Sequence, residues 1–439
     1  MDGHQPPSAQ RPISEILPSI SGSDPGMEDR NISTTDNKTD NSSGAKMTEM
    51  IVVHNDDPHR RLIPALERHL PYSIPLLRST QHAVAHAGAM SKTYFLATAN
   101  LPSQGKDVDA PWLAAYVNLF RGRETQVWIY SSLEAETGPG SAEDHHDAKA
   151  DHVASFSRIS SEKRELARAQ FVSLLVFIKQ RILPEYLAFV ATVNDERLPS
   201  EAVIETDAVP KIPKHPPQAI LIGTLHTGVL SLLSTLTAID PYVNMTPVPG
   251  VKVHRYDLPP YVKYLFHPSI FQRETVEHHL PPGYRYADRK GRRGLLPHQA
   301  DLVISRTMIP RARESLLSMS SVVIYSEEET QGGADEIPIA WGFLGPDGSL
   351  LTLHVEPAHR GQGLAVILSK EVMRTAMTAS TEDGRCIYGS AGDGRDDANA
   401  YTHTDVAMTN TASRRVMEKI GGKLAWTVTW TVVEVVGDV

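Results

Sequence analysis

A single cysteine, Cys386, leaves this chain of 439 residues without an intramolecular disulfide, which excludes a disulfide-stapled secreted scaffold. No basic-then-apolar leader precedes the first polar stretch, so the expectation is an intracellular protein, cytoplasmic or nuclear. Net positive charge is also lacking: 43 Lys and Arg against 52 Asp and Glu give a formal charge of -9, with no global attraction to nucleic acid or to an anionic membrane. Long apolar runs are scarce. The longest uncharged stretch, Ala219 to Ile239, has the length to span a bilayer but carries His226, two glycines and several Ser and Thr, so no membrane span is expected. A Rossmann G-x-G-x-x-G in a first βαβ unit and a G-K-[ST] P-loop are both missing, which removes dinucleotide oxidoreductases and P-loop NTPases.

What is present is a globular composition, 41% hydrophobic with both charge signs. Residues 1–46 are Ser, Asn, Asp, Pro and Gly with almost no apolar clustering and read as a disordered tail; its sequons at Asn31, Asn37 and Asn41 carry no weight without a secretory leader. Residues 47–282 read as an α/β region, with a helix around Leu62 to Leu77, strands at Tyr94 to Ala97 and Val127 to Tyr130, and a long helix from Glu162 to about Phe189 interrupted by Pro184. Linkers are expected near 138–160 and 205–218, and an irregular connection over Tyr242 to Pro282.

From residue 283 to 439 the pattern is sharper. Two short helical stretches, His298 to Ser305 and Pro310 to Met319, precede strands at Ser321 to Tyr325, Ile337 to Phe343 and Leu350 to Val355, an antiparallel meander. Leu364, Leu368, Val372 and Ala376 then recur four apart, the spacing of a helix that packs on the sheet. A strand at Thr402 to Val406, a helix at Thr411 to Ile420 closed by Gly421, and a last strand from Leu424 to Val436 complete an α/β (α+β) order.

The chemistry sits at the strand-to-helix junction His354 to Ala365, His-Val-Glu-Pro-Ala-His-Arg-Gly-Gln-Gly-Leu-Ala. Two glycines let the backbone approach a ligand, and the N–H groups and dipole of a helix start attract a pyrophosphate. Arg360 adds a full charge. Gly361 and Gly363 could equally serve only the turn.

This stretch resembles the GNAT N-acetyltransferase superfamily, whose R-x-x-G-x-[GA] signature is matched by Arg360, Gly363 and Ala365. The wording Pro338-Ile-Ala-Trp341, Asp347-Gly-Ser-Leu and R-G-x-G-L is similar to the glycine N-acyltransferase-like branch, and the resemblance covers about Leu295 to Val436. It implies the GNAT fold, a central mixed, mostly antiparallel sheet, with residues 47–282 as a degenerate half of the same kind. It implies acetyl-CoA as co-substrate and no metal. By resemblance, Leu353 and Val355 hold the pantetheine arm through their backbone. Arg360, Gly361, Gln362, Gly363, Leu364 and Ala365 hold the pyrophosphate, and Asn410 with Ser413 reaches the cofactor near the thiol.

The implied reaction is direct attack of a primary amine on the thioester, a ternary-complex acyl transfer. An alkyl ammonium with pKa of about 10 is almost wholly protonated at pH 7, so a base matters. Asp405 and His354 are the candidates; a residue accepting backbone hydrogen bonds and a satisfied core histidine are the competing readings, with Glu356 and His403 as further alternatives. Family members often place a Tyr seven residues after the Asn to protonate the thiolate, and Met417 stands there; the Glu of the glycine-conjugating enzymes aligns with Ser349. Glycine conjugation is therefore not expected. A small-molecule amine is the favoured acceptor, with no nucleic acid or membrane partner. A catalytically silent acyl-CoA-binding module and transfer to protein N-termini or lysines are the alternatives.

Three other clusters read as solvated loops: Asp144-His145-His146-Asp147 with Asp151-His152, which lacks metal-ligand spacing; the basic run Arg289 to Arg293; and Asp393, Asp396 and Asp397.

Overall fold

A computed structural model describes residues 50–86, 88, 91–102, 109–137, 153–193, 212–235, 245–267, 270, 280–328, 336–378 and 401–437. The expected tail, the three sequons, Cys386, the Asp144 to His152 cluster, and Asp393, Asp396 and Asp397 lie outside or almost wholly outside these residues.

The chain runs twice through one order of elements. The first pass is β1 (Ile51–Val53), α1 (Leu62–Glu67), α2 (Ile74–Ala85), β2 (Tyr94–Thr98), β3 (Leu113–Val117), β4 (Val127–Ser131), α3 (Ser161–Phe177), α4 (Leu183–Thr192), β5 (Ile220–His226), α5 (Thr227–Ser231), β6 (Val251–Arg255) and β7 (Tyr261–Phe266). The second is β8 (Tyr284–Arg285), α6 (Ala300–Ser305), α7 (Arg313–Ser318), β9 (Ser320–Ser326), β10 (Ala340–Leu344), β11 (Leu350–Val355), α8 (Leu364–Thr378), β12 (Thr402–Ala407), α9 (Thr411–Ile420) and β13 (Lys423–Val435). Both passes share two helices, a three-stranded antiparallel meander, a longer helix, a parallel strand and a further helix and strand; the first adds a one-turn helix at Leu133–Glu136, α4 and a second late strand.

Burial explains the layers. Along β3, Leu113, Ala115 and Val117 pack with Phe171, Leu174 and Leu175 of α3, whereas Ala114 and Tyr116 pack with Leu76 and Leu77 of α2. The two-residue alternation of a strand thus covers both faces. In the second pass, Leu364, Leu368 and Val372 of α8 cover one face with Ile324 and Ala340, while Val303 of α6 and Leu316 of α7 cover the other with Val323 and Trp341.

The two passes trade strands. Order in the larger sheet is β1-β2-β3-β4-β5-β13-β7-β12, with β6 also on β13; the smaller is β11-β10-β9-β8. First-pass β7 lies between β12 and β13, and the end of β13 lies between β5 and β6. The sheet therefore continues across residue 283, where sequence pattern changes.

Several expectations are corrected. Tyr242 to Pro282 holds two strands, β6 and β7, where an irregular connection was expected; the interior Lys263 breaks β7's apolar pattern. Leu62 to Leu77 is two helices, parted around Pro71, which has no N–H to continue a helix ladder. Ala219 to Ile239 begins as a strand and turns helical at Thr227, and no helix among the described residues is long and apolar enough to cross a membrane. Strand β3 was not anticipated. Pro184 does not end its helix: a π turn over Ile178–Ile182 precedes it and accommodates the missing donor, so the helical path runs from Ser161 to Thr192.

Candidate active site

Strand β11 ends at Val355, a 3-10 turn follows over Pro357–His359, and Arg360 is extended. Gly361 and Gly363 then take φ of +81° and +80°, the left-handed region that glycine enters at low cost. A Cβ on either would meet no atom within 4 Å, so the loop's outer side is open. Leu364 is buried and anchors the start of α8. The N–H groups of Val366 and Ile367 donate to the Gly363 carbonyl at 3.1 and 3.3 Å, so the amides of Leu364 and Ala365 belong to the first turn, which has no intrahelical acceptor. Arg360 Nε donates to the Val355 carbonyl at 2.9 Å, which keeps its cationic head beside the loop, and Gln362 is exposed. Open glycines, first-turn amides and one guanidinium fit a pyrophosphate.

Beside this loop the sheet divides. β11 and β12 meet in a parallel bridge between Ser349 and His403, reinforced by Thr404 Oγ1 donating to the Leu350 carbonyl at 2.7 Å. Beyond it β11 pairs only with β10, and β12 with β7, so Leu353 and Val355 lie on an edge facing a gap. A bulge opposite Gly342 sharpens the divergence, with Thr352 at φ +52°.

His354 pairs across the ladder with Trp341, and their rings stack at 4.5 Å and 14°. Its Nε2 is buried with no hydrogen-bond partner among the described residues; Glu356 Oε2 stands 3.6 Å away, a charge contact longer than a hydrogen bond. Glu356 is itself held by Arg306 Nε at 2.9 Å. Burial keeps the imidazole below its ordinary pKa of 6.5, against the opposing pull of Glu356. The ring is neutral at pH 7 with a lone pair or proton to offer.

Asp405 is held differently. Its Oδ1 lies 2.7 Å from Lys263 Nζ, an ion pair outside hydrogen-bond alignment, and Thr224 Oγ1 donates to Oδ2 at 2.8 Å. Lys263 Nζ also donates to His403 Nδ1 at 3.2 Å, so the other nitrogen carries the proton and donates to the Asp347 carbonyl at 2.8 Å. Burial, followed by the Lys263 charge, pushes His403 down to about 4. Asp347 accepts from the Ser349 hydroxyl at 2.6 Å; burial opposes its ionisation, but His403, Ser349 and Lys263 together hold it below the usual carboxylate value. Asp405 and His403 thus share one buried network, and His354 and Glu356 form a separate pair at the end of β11.

Asn410 caps α9, its Oδ1 accepting from Ser413 N–H at 3.1 Å. Met417 is 1% exposed and packs in the core with Val406 and Leu368. Near it, the Tyr264 hydroxyl donates to Glu418 at 3.1 Å and accepts from Arg414 Nε at 3.2 Å. Lys263, Thr224 and Tyr264 were not anticipated, since each comes from first-pass strands that reach the second-pass site only through the exchange. Lys263 offered one signal: a lone charge between apolar neighbours in Tyr261-Val-Lys-Tyr-Leu-Phe266. The basic run is tied locally, Arg289 to Glu336 and Arg292 to Asp288. Among the described residues no cluster of three or more His, Cys, Asp or Glu could hold a metal.

Residues 48–264 match the family model for the acyl-CoA N-acyltransferase verG N-terminal domain. Just under half of the chain is thus similar to an acyl-CoA N-acyltransferase domain. No curated protein matches the sequence. Solved structures similar to it include a Drosophila protein from a structural genomics programme (11% identity, 90% of this chain and 96% of that one, TM-score 0.40). A tandem GNAT protein of the clavulanic acid biosynthesis pathway aligns at 10% identity over 89% of this chain and 99% of that one, TM-score 0.35. A GCN5-related N-acetyltransferase from Kribbella flavida aligns at 9% over 76% and 90%, TM-score 0.33.

Proposed function

We propose that the protein transfers an acyl group, acetyl first among them, from acyl-CoA to a primary amine by direct attack in a ternary complex. The observation that carries this is the open glycine loop at the gap between β11 and β12, with a neutral imidazole on the strand that borders the gap. In this reading Arg360 and the amides from Gly361 to Ala365 hold the pyrophosphate, the edge at Leu353 and Val355 takes the pantetheine arm, and Asn410 and Ser413 lie toward the thiol.

Of the two residues expected to move the proton, we assign the role to His354. Both Asp405 oxygens already face donors, Lys263 and Thr224, which suits a fixed charge better than a base. The amine nitrogen bonds to the thioester carbon and gives up its proton to the His354 imidazole. A backbone N–H near Val355 stabilises the oxyanion, the C–S bond breaks, and the thiolate leaves with the electron pair. An unperturbed thiol ionises near pKa of about 8.5, so the leaving sulfur can be protonated by solvent without a dedicated acid. The acceptor is a small-molecule amine, and the single cysteine supports a reducing compartment such as the cytoplasm.

Met417 in the core favours a second reading, an acyl-CoA binder without turnover. Thermal melts with acetyl-CoA, CoA and ATP test the first part: a rise specific to the CoA compounds is expected, and no response would remove it. Release of free thiol from acetyl-CoA across an amine panel then separates enzyme from binder.

A further inference from the structure

His354 and Glu356 stand two residues apart where β11 ends, the spacing that puts side chains on one face of an extended chain. The carboxylate is divided. Its Oε1 accepts from Arg306 Nε at 2.9 Å, and its Oε2 lies 3.6 Å from His354 Nε2. Arg306 is itself fixed at the end of α6, its N–H donating to the Val303 carbonyl at 3.1 Å. It opens the connection to α7, which the first pass and the segment after it hold twice: Ile212 N–H donates to the Met308 carbonyl at 3.3 Å, and Ala312 N–H donates to Glu124 Oε1 at 2.9 Å.

A neutral imidazole has one proton for two nitrogens. Of the two in His354, only Nε2 is buried without a hydrogen-bond partner, while the side chain as a whole is 18% exposed, so Nδ1 is the nitrogen that a substrate can reach. A proton on Nδ1 would leave the Nε2 lone pair facing the carboxylate in a buried place, an unfavourable contact; a proton on Nε2 makes the same contact attractive. The charged groups acting on the ring are Glu356, which favours its protonated form, and Arg360 and Arg306, which oppose it together with burial. Trp341, stacked on it from β10, adds no charge.

We propose that Glu356 and Arg306 are positioning residues for His354: the carboxylate holds the ring's proton on Nε2 and leaves the Nδ1 lone pair free, and Arg306 limits how much of that negative charge the ring feels. Resting on the acyl-transfer reading, this makes Nδ1 the atom that takes the amine proton. NMR of the ring nitrogens, in the full chain labelled at histidine and free of CoA, tests the arrangement, with the His354 signals assigned by their loss in His354→Ala. The neutral ring should carry its proton on Nε2. Glu356→Gln should lower the pH at which the ring titrates and Arg306→Gln should raise it, opposite shifts that a loosened fold would not produce. A proton on Nδ1, or shifts that are absent or run in the same direction, would overturn the proposal. Thiol release measured against pH reads the consequence: the acid limb of kcat should move to lower pH in Glu356→Gln and to higher pH in Arg306→Gln. NMR shifts that the kcat limb does not follow would remove His354 as the base and leave the positioning pair standing, which keeps the two failures distinguishable.

Discussion

Lys263 of β7 and Asp405 of β12 sit directly opposite each other in the ladder and meet at 2.7 Å, with side chains only 1% and 6% exposed. Each comes from a different pass of the chain, so the pair ties the exchanged strand to its host. Removing one partner leaves a buried charge uncompensated. Lys263→Met should lower unfolding free energy by about 3–5 kcal/mol, and adding Asp405→Leu should recover much of it. Urea denaturation of the two single variants and the double variant measures the coupling; additive losses would refute it.

His354 should behave as the proton acceptor. His354→Ala is expected to reduce kcat by about 10²- to 10⁴-fold without changing CoA affinity, which stopped-flow thiol release and calorimetry report separately. Because burial holds this imidazole below 6.5, the acid limb of kcat should also fall below pH 6.5.

Gly363 lies at φ +80° with open space where a Cβ would point, so a substitution strains the backbone without a clash. Gly363→Val should impose about 1–3 kcal/mol of strain and raise KM for acyl-CoA about tenfold or more, with the KM of the amine little changed. Initial-rate kinetics with each substrate varied in turn check this.

Glu134, just after β4, is fully buried and accepts from the Ser131 N–H at 2.9 Å; burial raises it to about 8. The native state therefore keeps a proton between pH 4.5 and about 8 that the unfolded chain releases, and wild-type stability falls as pH rises through that window. Glu134→Gln keeps the acceptor and removes this loss. Its advantage over wild type should be small near pH 4.5 and grow by at most about 1.4 kcal/mol per pH unit up to about pH 8, as seen by urea melts at each pH.

The second pass was the legible part of the fold. Its strands alternate, its helix α9 begins at a capping Asn410 and closes at Gly421 in the left-handed conformation, and the glycine loop announces itself by composition. Boundaries there fell within a few residues. The first pass was harder to read, because strands such as β3, Leu-Ala-Ala-Tyr-Val, are buried on both faces and lose their alternation. β6 and β7 were obscured by prolines and by Lys263, whose burial makes sense only beside Asp405. At the candidate site, the glycine loop and the position of His354 on its strand were legible from local pattern. The lysine, threonine and tyrosine delivered by strand exchange were not, since 140 or more residues separate each of them from its partner on β12 or α9.

The exchange of β7 and β13 also sets an order in time. β5 and β6 receive the strand between them only from β13, which a ribosome makes after every other strand in the fold. Through most of synthesis the first sheet has an unfilled slot flanked by bare strand edges, the arrangement most prone to capturing a strand from a neighbouring chain.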